Sequence, residues 1–270
     1  MGIKIIEQIC GNQYMLNQED FVFESHKRNF YHKSSYIDEI WLLPMYKHMK
    51  TYIETVSATL VKIVPYIWNP DIIELYSKIT KKDIKYNPNN NEKQCVLIAE
   101  PNVSVHKTSL VPLVICEKFN KENNIKLDKI FNMCFPEKEF AKKFLSQLKI
   151  SKITETYQRS PLMNIIDQLN KLKFKTHIVS HQIFNELNFL HFELIFLGFP
   201  LIHNCEMIKE VGYMYHQHNI NEGSKCLEIS MISHDTMDKS KEIKEFLWKY
   251  NPNNPEIIKK YCEFCGIKYV

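Results

Sequence analysis

The sequence predicts an α/β protein with a mostly parallel sheet. From about residue 94 onward, short apolar runs typical of buried strands alternate with longer segments of helical periodicity. The segments between them are short, and strands joined through helices in this way pair in parallel with helices on both faces of the sheet. Residues 1–90 alternate less regularly, which predicts a smaller α/β domain at the N-terminus.

The predicted elements follow one another along the chain in a strand–helix order. The apolar segments expected to form strands are 39–43, 60–64, 94–99, 129–135, 153–155, 176–180, 200–203 and 213–215. The segments expected to form helices are 44–55, 71–82, 107–120, 137–148, 161–172, 185–197, 239–250 and 255–264.

A turn-rich segment marks the expected domain boundary. Residues 87–91 read Asn-Pro-Asn-Asn-Asn, a composition that breaks regular structure. We therefore expect three parts: a reduced N-terminal α/β domain over 1–90, a parallel-sheet domain over 91–235, and two closing helices over 236–270.

Charge and hydropathy argue against a nucleic-acid partner and against a membrane span. The net charge is only +4, from 35 basic and 31 acidic residues, and the lysines are interleaved with acids. No apolar stretch approaches the roughly 20 residues that span a bilayer, and no signal peptide is recognisable at the N-terminus. The eight cysteines are dispersed, which favours buried thiols in a reducing, cytoplasmic setting.

Several common site motifs are missing from the sequence. It contains no Gly-x-Gly-x-x-Gly, P-loop or Gly-x-Ser-x-Gly motif, and its 6 glycines make such sites improbable. No Asp-x-Asp pair occurs, and the CxxC pair Cys262 and Cys265 has no second pair at zinc spacing. We therefore expect neither a metal nor a bound cofactor.

Polar residues follow several predicted strands, where parallel sheets bind ligands. After the strand 94–99 come Asn102 and Lys107, and Lys107 is expected to open a helix. An ammonium beside free helix N–H groups would suit a diphosphate, although a solvated lysine in a simple loop is the alternative.

The strand 176–180 leads into a second polar segment. His181 could donate a hydrogen bond to a phosphate or cap the sheet edge, and Asn185, with Glu186 beside it, is a candidate helix N-cap. Glu193 lies inside an apolar helix, where a carboxylate needs a partner. Ribose hydroxyls would suit it, and a salt bridge to a lysine is the alternative. His203 and Asn204 similarly follow the strand 200–203.

The segment from Glu193 to Ile202 resembles the E-A-x-x-x-G-x-P-V-I element of GT-B glycosyltransferases, with Gly198 and Pro200 at the matching positions. In those enzymes the glutamate is the second acid of an E-x7-E motif and binds the nucleotide ribose. The first acid of that motif falls on Asn185 here, and Glu186 is one place away.

A more specific resemblance is to a poorly characterised set of GT-B-like glycosyltransferases from bacterial polysaccharide loci and large DNA viruses. It covers about residues 40–255 and rests on WLLP at 41–44, VPYIWNP at 64–70, EPN at 100–102 with Lys107, SHQ at 180–182, Asn188, PLIHN at 200–204 and GY at 212–213.

The resemblance implies a GT-B-like fold with a Rossmann-like C-terminal domain. It also implies metal-independent transfer of a sugar from a nucleoside-diphosphate sugar to a glycan or protein acceptor. By analogy Lys107 contacts the diphosphate, and residues 181–193 surround the nucleotide sugar. The expected donor-binding residues are Asn102, Lys107, His181, Asn185, Glu186, Asn188, Glu193, His203 and Asn204.

Members of this set are longer at the N-terminus, where the acceptor site and, in inverting enzymes, the catalytic base normally lie. We therefore expect a reduced acceptor side, or one completed by a partner chain, with His26, His32 and Asp38 as candidate bases. One alternative is a non-catalytic module that holds a nucleotide sugar or docks on a partner glycosyltransferase. Another is a sugar-nucleotide epimerase of the same architecture, for which no cluster of acids is found.

Overall fold

The computed structural model describes residues 3–24, 36–88, 93–234 and 239–269. The chain forms two compact units, the first comprising Met1–Asn69 and Trp248–Val270 and the second Pro70–Leu247. The C-terminal residues join the first unit, where the Tyr261 hydroxyl donates to the Pro65 carbonyl at 2.7 Å. The division into 1–90, 91–235 and 236–270 stays a prediction, since both of its boundaries fall in or beside residues outside this description.

The described strands form two sheets in which every pairing is parallel. They are β1 (Ile6–Ile9), β2 (Glu39–Leu42), β3 (Leu60–Ile63), β4 (Lys93–Ile98), β5 (Lys129–Asn132), β6 (Thr154–Thr156), β7 (Phe174–Val179), β8 (Leu201–His203) and β9 (Tyr213–Met214). The first unit has the order β1-β2-β3, and the second has the order β6-β5-β4-β7-β8-β9. Counted from β4, the larger sheet has the 3-2-1-4-5-6 order of a Rossmann-like domain.

The α-helices lie between or after these strands. They are α1 (Gln13–Phe23), α2 (Lys50–Ser57), α3 (Asp71–Thr80), α4 (Leu110–Glu122), α5 (Glu139–Gln147), α6 (Leu162–Lys171), α7 (Phe189–Phe196), α8 (Ile220–Ser233), α9 (Ser240–Trp248) and α10 (Pro255–Cys265). The predicted helix 44–55 is divided into a 3-10 segment, Pro44–Met49, and α2.

Three elements of the structure, β1, α1 and α8, were not predicted from the sequence. For α8 the reason is its buried face, which consists of Gly223, Ser224, Leu227 and Ser230 and therefore gives little apolar periodicity. A Cβ atom on Gly223 would lie 2.6 Å from the Ile115 side chain, so the helix packs too closely against α4 for a larger residue.

The core of the second unit lies on both faces of its sheet, because Val96 and Ile98 alternate along β4 with the equally buried Cys95 and Leu97. It includes the fully buried Val96, Ile98, Phe119 and Ile130. Among the described residues, no helix is both long and apolar enough to cross a membrane. The cysteines are all unpaired; three of them are buried, and Cys10 and Cys265 are exposed.

Candidate functional site

The loops that follow β4 and β7 meet at the centre of the larger sheet. Lys107 and Gln182 form an isolated antiparallel bridge, and the Ile183 N–H donates to the His106 carbonyl at 3.0 Å. These strands are neighbours, and the strand order reverses between them. In doubly wound sheets this switch point is where ligands bind.

Glu100 follows β4 and is completely buried. Its carboxylate accepts hydrogen bonds from the Ser180 hydroxyl at 2.5 Å, the Gln182 amide at 2.7 Å and the His181 backbone N–H at 3.3 Å. Burial raises the pKa of Glu100 to about 7, although these bonds and the charge of Lys107 oppose the rise. Glu100 thus ties the loop after β7 to β4 and titrates near neutral pH.

A chain of buried hydrogen bonds continues from Glu100 into the protein. The Ser180 hydroxyl lies 2.8 Å from Nε2 of His191, and Nδ1 of His191 lies 3.7 Å from the Cys205 sulfur. Burial, with the nearby His203 and Lys107, lowers the pKa of His191 well below its usual value. When Glu100 is ionised, the single Ser180 hydroxyl proton is donated to its carboxylate, so the Ser180 oxygen accepts from Nε2 of His191. The other ring nitrogen, Nδ1, then has no proton and accepts from the Cys205 thiol.

Lys107 supplies the cation of this site. Contrary to the sequence prediction it does not open a helix, because α4 begins at Leu110. Its N–H instead donates to the Ser104 carbonyl at 3.1 Å, which closes a turn before the helix. Burial lowers the pKa of the ammonium, while the charge of Glu100 opposes this. The ammonium makes no salt bridge or hydrogen bond with the described residues.

Asn102 holds the loop that presents Lys107. Its backbone is left-handed, with φ of 51°, a conformation that asparagine tolerates better than most residues. Its amide group donates to the carbonyls of Glu100 and Cys134 at 2.9 and 3.1 Å. Its side-chain oxygen accepts from the N–H and hydroxyl of Ser109 at 2.8 and 3.0 Å. These bonds occupy its side chain within the protein, so its role in this state is to shape the loop.

The polar residues after β7 are also held by the protein. Asn185 donates to the Gln182 side chain at 2.9 Å, and the N-cap of α7 is Asn188, which accepts from the Leu190 N–H. The interpretation of Asn185 as the helix cap was therefore wrong. Glu186 accepts from the Met207 N–H at 2.9 Å.

Asn204 and His203 connect β8 to the surrounding backbone. The Asn204 side chain accepts from the Gln182 N–H at 2.9 Å and donates to its carbonyl at 2.8 Å. Nε2 of His203 donates to the Val211 carbonyl at 2.9 Å, and Nδ1 accepts from the Cys205 N–H. Both nitrogens of this buried ring are thus used inside the protein, and burial lowers its pKa to about 4.

His181 differs from these residues because one of its nitrogens has no hydrogen-bond partner in the described ranges. Nδ1 lies 2.9 Å from the Tyr215 hydroxyl, while the buried Nε2 makes no hydrogen bond with the described residues. Burial, with a smaller effect of His218, lowers the pKa of His181 to about 4. The ring is therefore neutral at physiological pH.

Glu193 lies on α7 and is partly buried. Burial raises the pKa of its carboxyl group, and the carboxylate makes no salt bridge or hydrogen bond with the described residues. The salt bridge to a lysine that the sequence left open is thus not formed there. No hydrogen bond joins Glu193 to Lys107, so their joint action on one ligand stays a prediction.

Of the candidate bases, Asp38 alone lies within the description. It precedes β2, and its carboxylate accepts from the Ile5 N–H at 2.7 Å. His26 and His32 lie outside the described residues. Within the described ranges, no group of three or more His, Cys, Asp or Glu side chains could hold a metal ion. Metal independence stays a prediction.

Four residues of this site have no role predicted from the sequence: Ser180, Gln182, His191 and Cys205. Ser180 and Gln182 belong to the SHQ motif, which could have indicated them. His191, Cys205 and Tyr215 come from three different segments, and only the strand order brings them to Ser180 and His181.

The chain belongs to the family described as "Protein of unknown function (DUF2827)", which matches residues 1–264. No curated protein matches it.

Solved structures show the same fold at low sequence identity. Anabaena Alr3699/HepE, in complex with UDP and glucose, matches with a TM-score of 0.56 and 8% identity over 97% of this chain and 71% of HepE. The Candida albicans trehalose-6-phosphate phosphatase N-terminal domain matches with a TM-score of 0.56 and 11% identity over 85% of this chain and 58% of that protein.

The pneumococcal O-GlcNAc transferase GtfA, in complex with UDP and GlcNAc, matches with a TM-score of 0.52 and 10% identity over 93% of this chain. This chain spans 47% of GtfA. These likenesses and the two parallel sheets confirm the predicted GT-B-like α/β fold.

Proposed function

We propose that this member of the DUF2827 family is a glycosyltransferase that moves a sugar from a nucleoside-diphosphate sugar to a glycan or protein acceptor. The observation that carries the proposal is the Lys107 ammonium, which is half-buried at the switch point of a Rossmann-like sheet and has no salt-bridge partner among the described residues. Two proteins of similar fold, HepE and GtfA, were solved with UDP and a sugar, which supports a nucleotide-sugar donor.

The chemistry of the transfer suits the groups at this site. Negative charge develops on the diphosphate as it leaves, and a preorganised cation can stabilise it without a metal. Partial burial of Lys107 makes its charge more effective, because the local dielectric is lower than in water. The Glu193 carboxylate, which has no partner in the part of the chain that the structure describes, can accept from two ribose hydroxyls. Burial disfavours leaving it without such donors.

The donor site is tested by calorimetry with uridine, guanosine, cytidine and thymidine diphosphates, plain and sugar-linked. A charge-assisted hydrogen bond is worth about 1.5–3 kcal/mol, so Lys107→Met should weaken binding about 10- to 100-fold. Lys126→Met is the matched control, because Lys126 is exposed in the loop before β5 and pairs with Asp128. Equal affinity of wild type and Lys107→Met would refute the site.

Turnover separates an enzyme from a non-catalytic binding module. Release of nucleoside diphosphate from the bound donor, with or without an added glycan or protein acceptor, supports the transferase. Tight nucleotide binding with neither hydrolysis nor transfer would favour the binding module, or an acceptor side completed by a partner chain.

We place the reaction in the cytoplasm, because unpaired cysteines are usual in reducing compartments.

A further inference from the structure

The unpartnered nitrogen of His181 lies beside the proposed donor site. His181 directly follows β7, and its N–H donates to Glu100 in the loop that leads to Lys107. The residue is 2% exposed, and its Nε2 has no hydrogen-bond partner among the described residues. Burying a polar nitrogen without a partner costs free energy, and a bound ligand with a hydrogen-bonding group would offset that cost.

The hydrogen bonds around Tyr215 decide which nitrogen of His181 carries the proton. The Tyr215 hydroxyl lies 3.0 Å from the Ser180 carbonyl, which can only accept. The single hydroxyl proton therefore goes to this carbonyl, and the Tyr215 oxygen accepts from His181. This places the imidazole proton on Nδ1 and leaves a lone pair on Nε2.

We infer that Nε2 of His181 accepts a hydrogen bond from a hydroxyl group on the ribose or the hexose of the donor. The inference rests on the proposed function, and it reverses one of the two roles that the sequence left open, in which His181 donates to a phosphate. An unprotonated nitrogen cannot donate, and the ionised diphosphate oxygens offer only acceptors. A sugar hydroxyl supplies the missing proton, while Lys107 supplies the charge for the diphosphate.

We expect a ligand to reach this nitrogen from the side of the His218 ring, which packs against His181. Its centroid lies 4.6 Å from that of His181, and no hydrogen bond joins the two rings. His218 is exposed in the segment after β9. Moving an exposed ring away from His181 costs little free energy, because little apolar surface is buried there. A sugar can therefore take the place of the His218 ring.

The tautomer is tested first, by nitrogen NMR of the full chain labelled at its histidines. His181→Asn identifies the His181 signals by their loss. We expect a neutral ring protonated at Nδ1 in the free protein. A ring protonated at Nε2, or a charged ring at neutral pH, would overturn the inference whether or not a nucleotide binds.

The ligand contact is tested by calorimetry with UDP-glucose and a series in which each ribose or hexose hydroxyl is replaced by hydrogen. One analogue should bind wild type about 10-fold more weakly than UDP-glucose, the worth of one buried hydrogen bond. His181→Asn keeps a donor for Tyr215 but has no atom at the Nε2 position, so it should bind that analogue and UDP-glucose equally. His181→Gln, whose longer side chain places an oxygen there, should restore the discrimination.

The outcomes separate this inference from the proposed function. Equal wild-type affinity for UDP-glucose and every analogue overturns the His181 contact alone. Failure of UDP-glucose and all other tested nucleotides to bind overturns the proposed function, and the contact falls with it. Thermal unfolding of both His181 variants checks that any loss of affinity arises in a folded protein.

Discussion

Replacing Glu100 with glutamine should change how the stability of the second unit depends on pH. The carboxyl group is buried and has a pKa of about 7 in the folded protein, against 4.5 in an unfolded chain. Between these values the folded state binds more protons than the unfolded state, so wild-type stability falls as pH rises from 4.5 to 7. Glutamine does not titrate, and this part of the pH dependence should disappear.

The magnitude follows from the difference between the two pKa values. Each pKa unit corresponds to about 1.4 kcal/mol, so the wild type should lose about 3 kcal/mol relative to Glu100→Gln across this window. Below pH 4.5 both states of the wild type are protonated, and the difference should be constant. Above pH 7 the carboxyl group is ionised in both the folded and the unfolded state, and the wild type keeps the full loss of stability relative to Glu100→Gln.

The measurement is urea unfolding at a series of pH values, followed by circular dichroism and by hydrogen exchange of the β4 and β7 amides. These probes are needed because Trp41, Trp68 and Trp248 all lie in the first unit, so fluorescence does not follow the second. Taking the difference from wild type also cancels other titrating groups, including the buried histidines.

Glu117→Gln provides a control of opposite sign. Burial raises the pKa of Glu117, but a salt bridge from Lys121 and the Ile150 N–H lower it overall. Its contribution is present above pH 4.5 and lost below, so this variant should differ from wild type by a constant amount between pH 4.5 and 7. A difference between wild type and Glu100→Gln that does not change over that window would refute the reasoning.

Two further substitutions test the framework of the site. Gly212→Ala should destabilise the protein by well over about 1 kcal/mol, because φ is 74° and the new Cβ would lie 2.7 Å from the Leu201 carbonyl oxygen. Gly266→Ala, with φ of 68° and no atom within 4 Å, should cost less in the same denaturation assay; equal costs would contradict the clash. Asn188→Ala should cost about 1 kcal/mol through loss of the α7 cap, and Asn188→Ser should recover most of it; an unchanged melting temperature in Asn188→Ala would disprove the cap.

Local sequence pattern was sufficient for the class of fold and for most elements. The apolar runs at 94–99 and 176–180 became β4 and β7, because buried parallel strands require continuous apolar residues. Polar residues that follow these two strands do meet at one edge of the sheet. This could be predicted because parallel strands all end at the same edge. Helix starts were less certain, and α4 and α7 begin three and four residues later than expected.

The tertiary structure decided which of the polar side chains hold other parts of the protein. Asn102, His203 and Asn204 resemble ligand-binding residues in sequence, yet their side chains hold backbone groups of the protein. Asn102 also bonds Cys134 after β5, and Asn204 bonds Gln182 after β7. These two contacts depend on strand order, which local pattern does not encode. The same reason applies to His181. The sequence shows an imidazole after a strand, but only the contact with Tyr215 determines which ring nitrogen is free of a proton and able to accept a hydrogen bond.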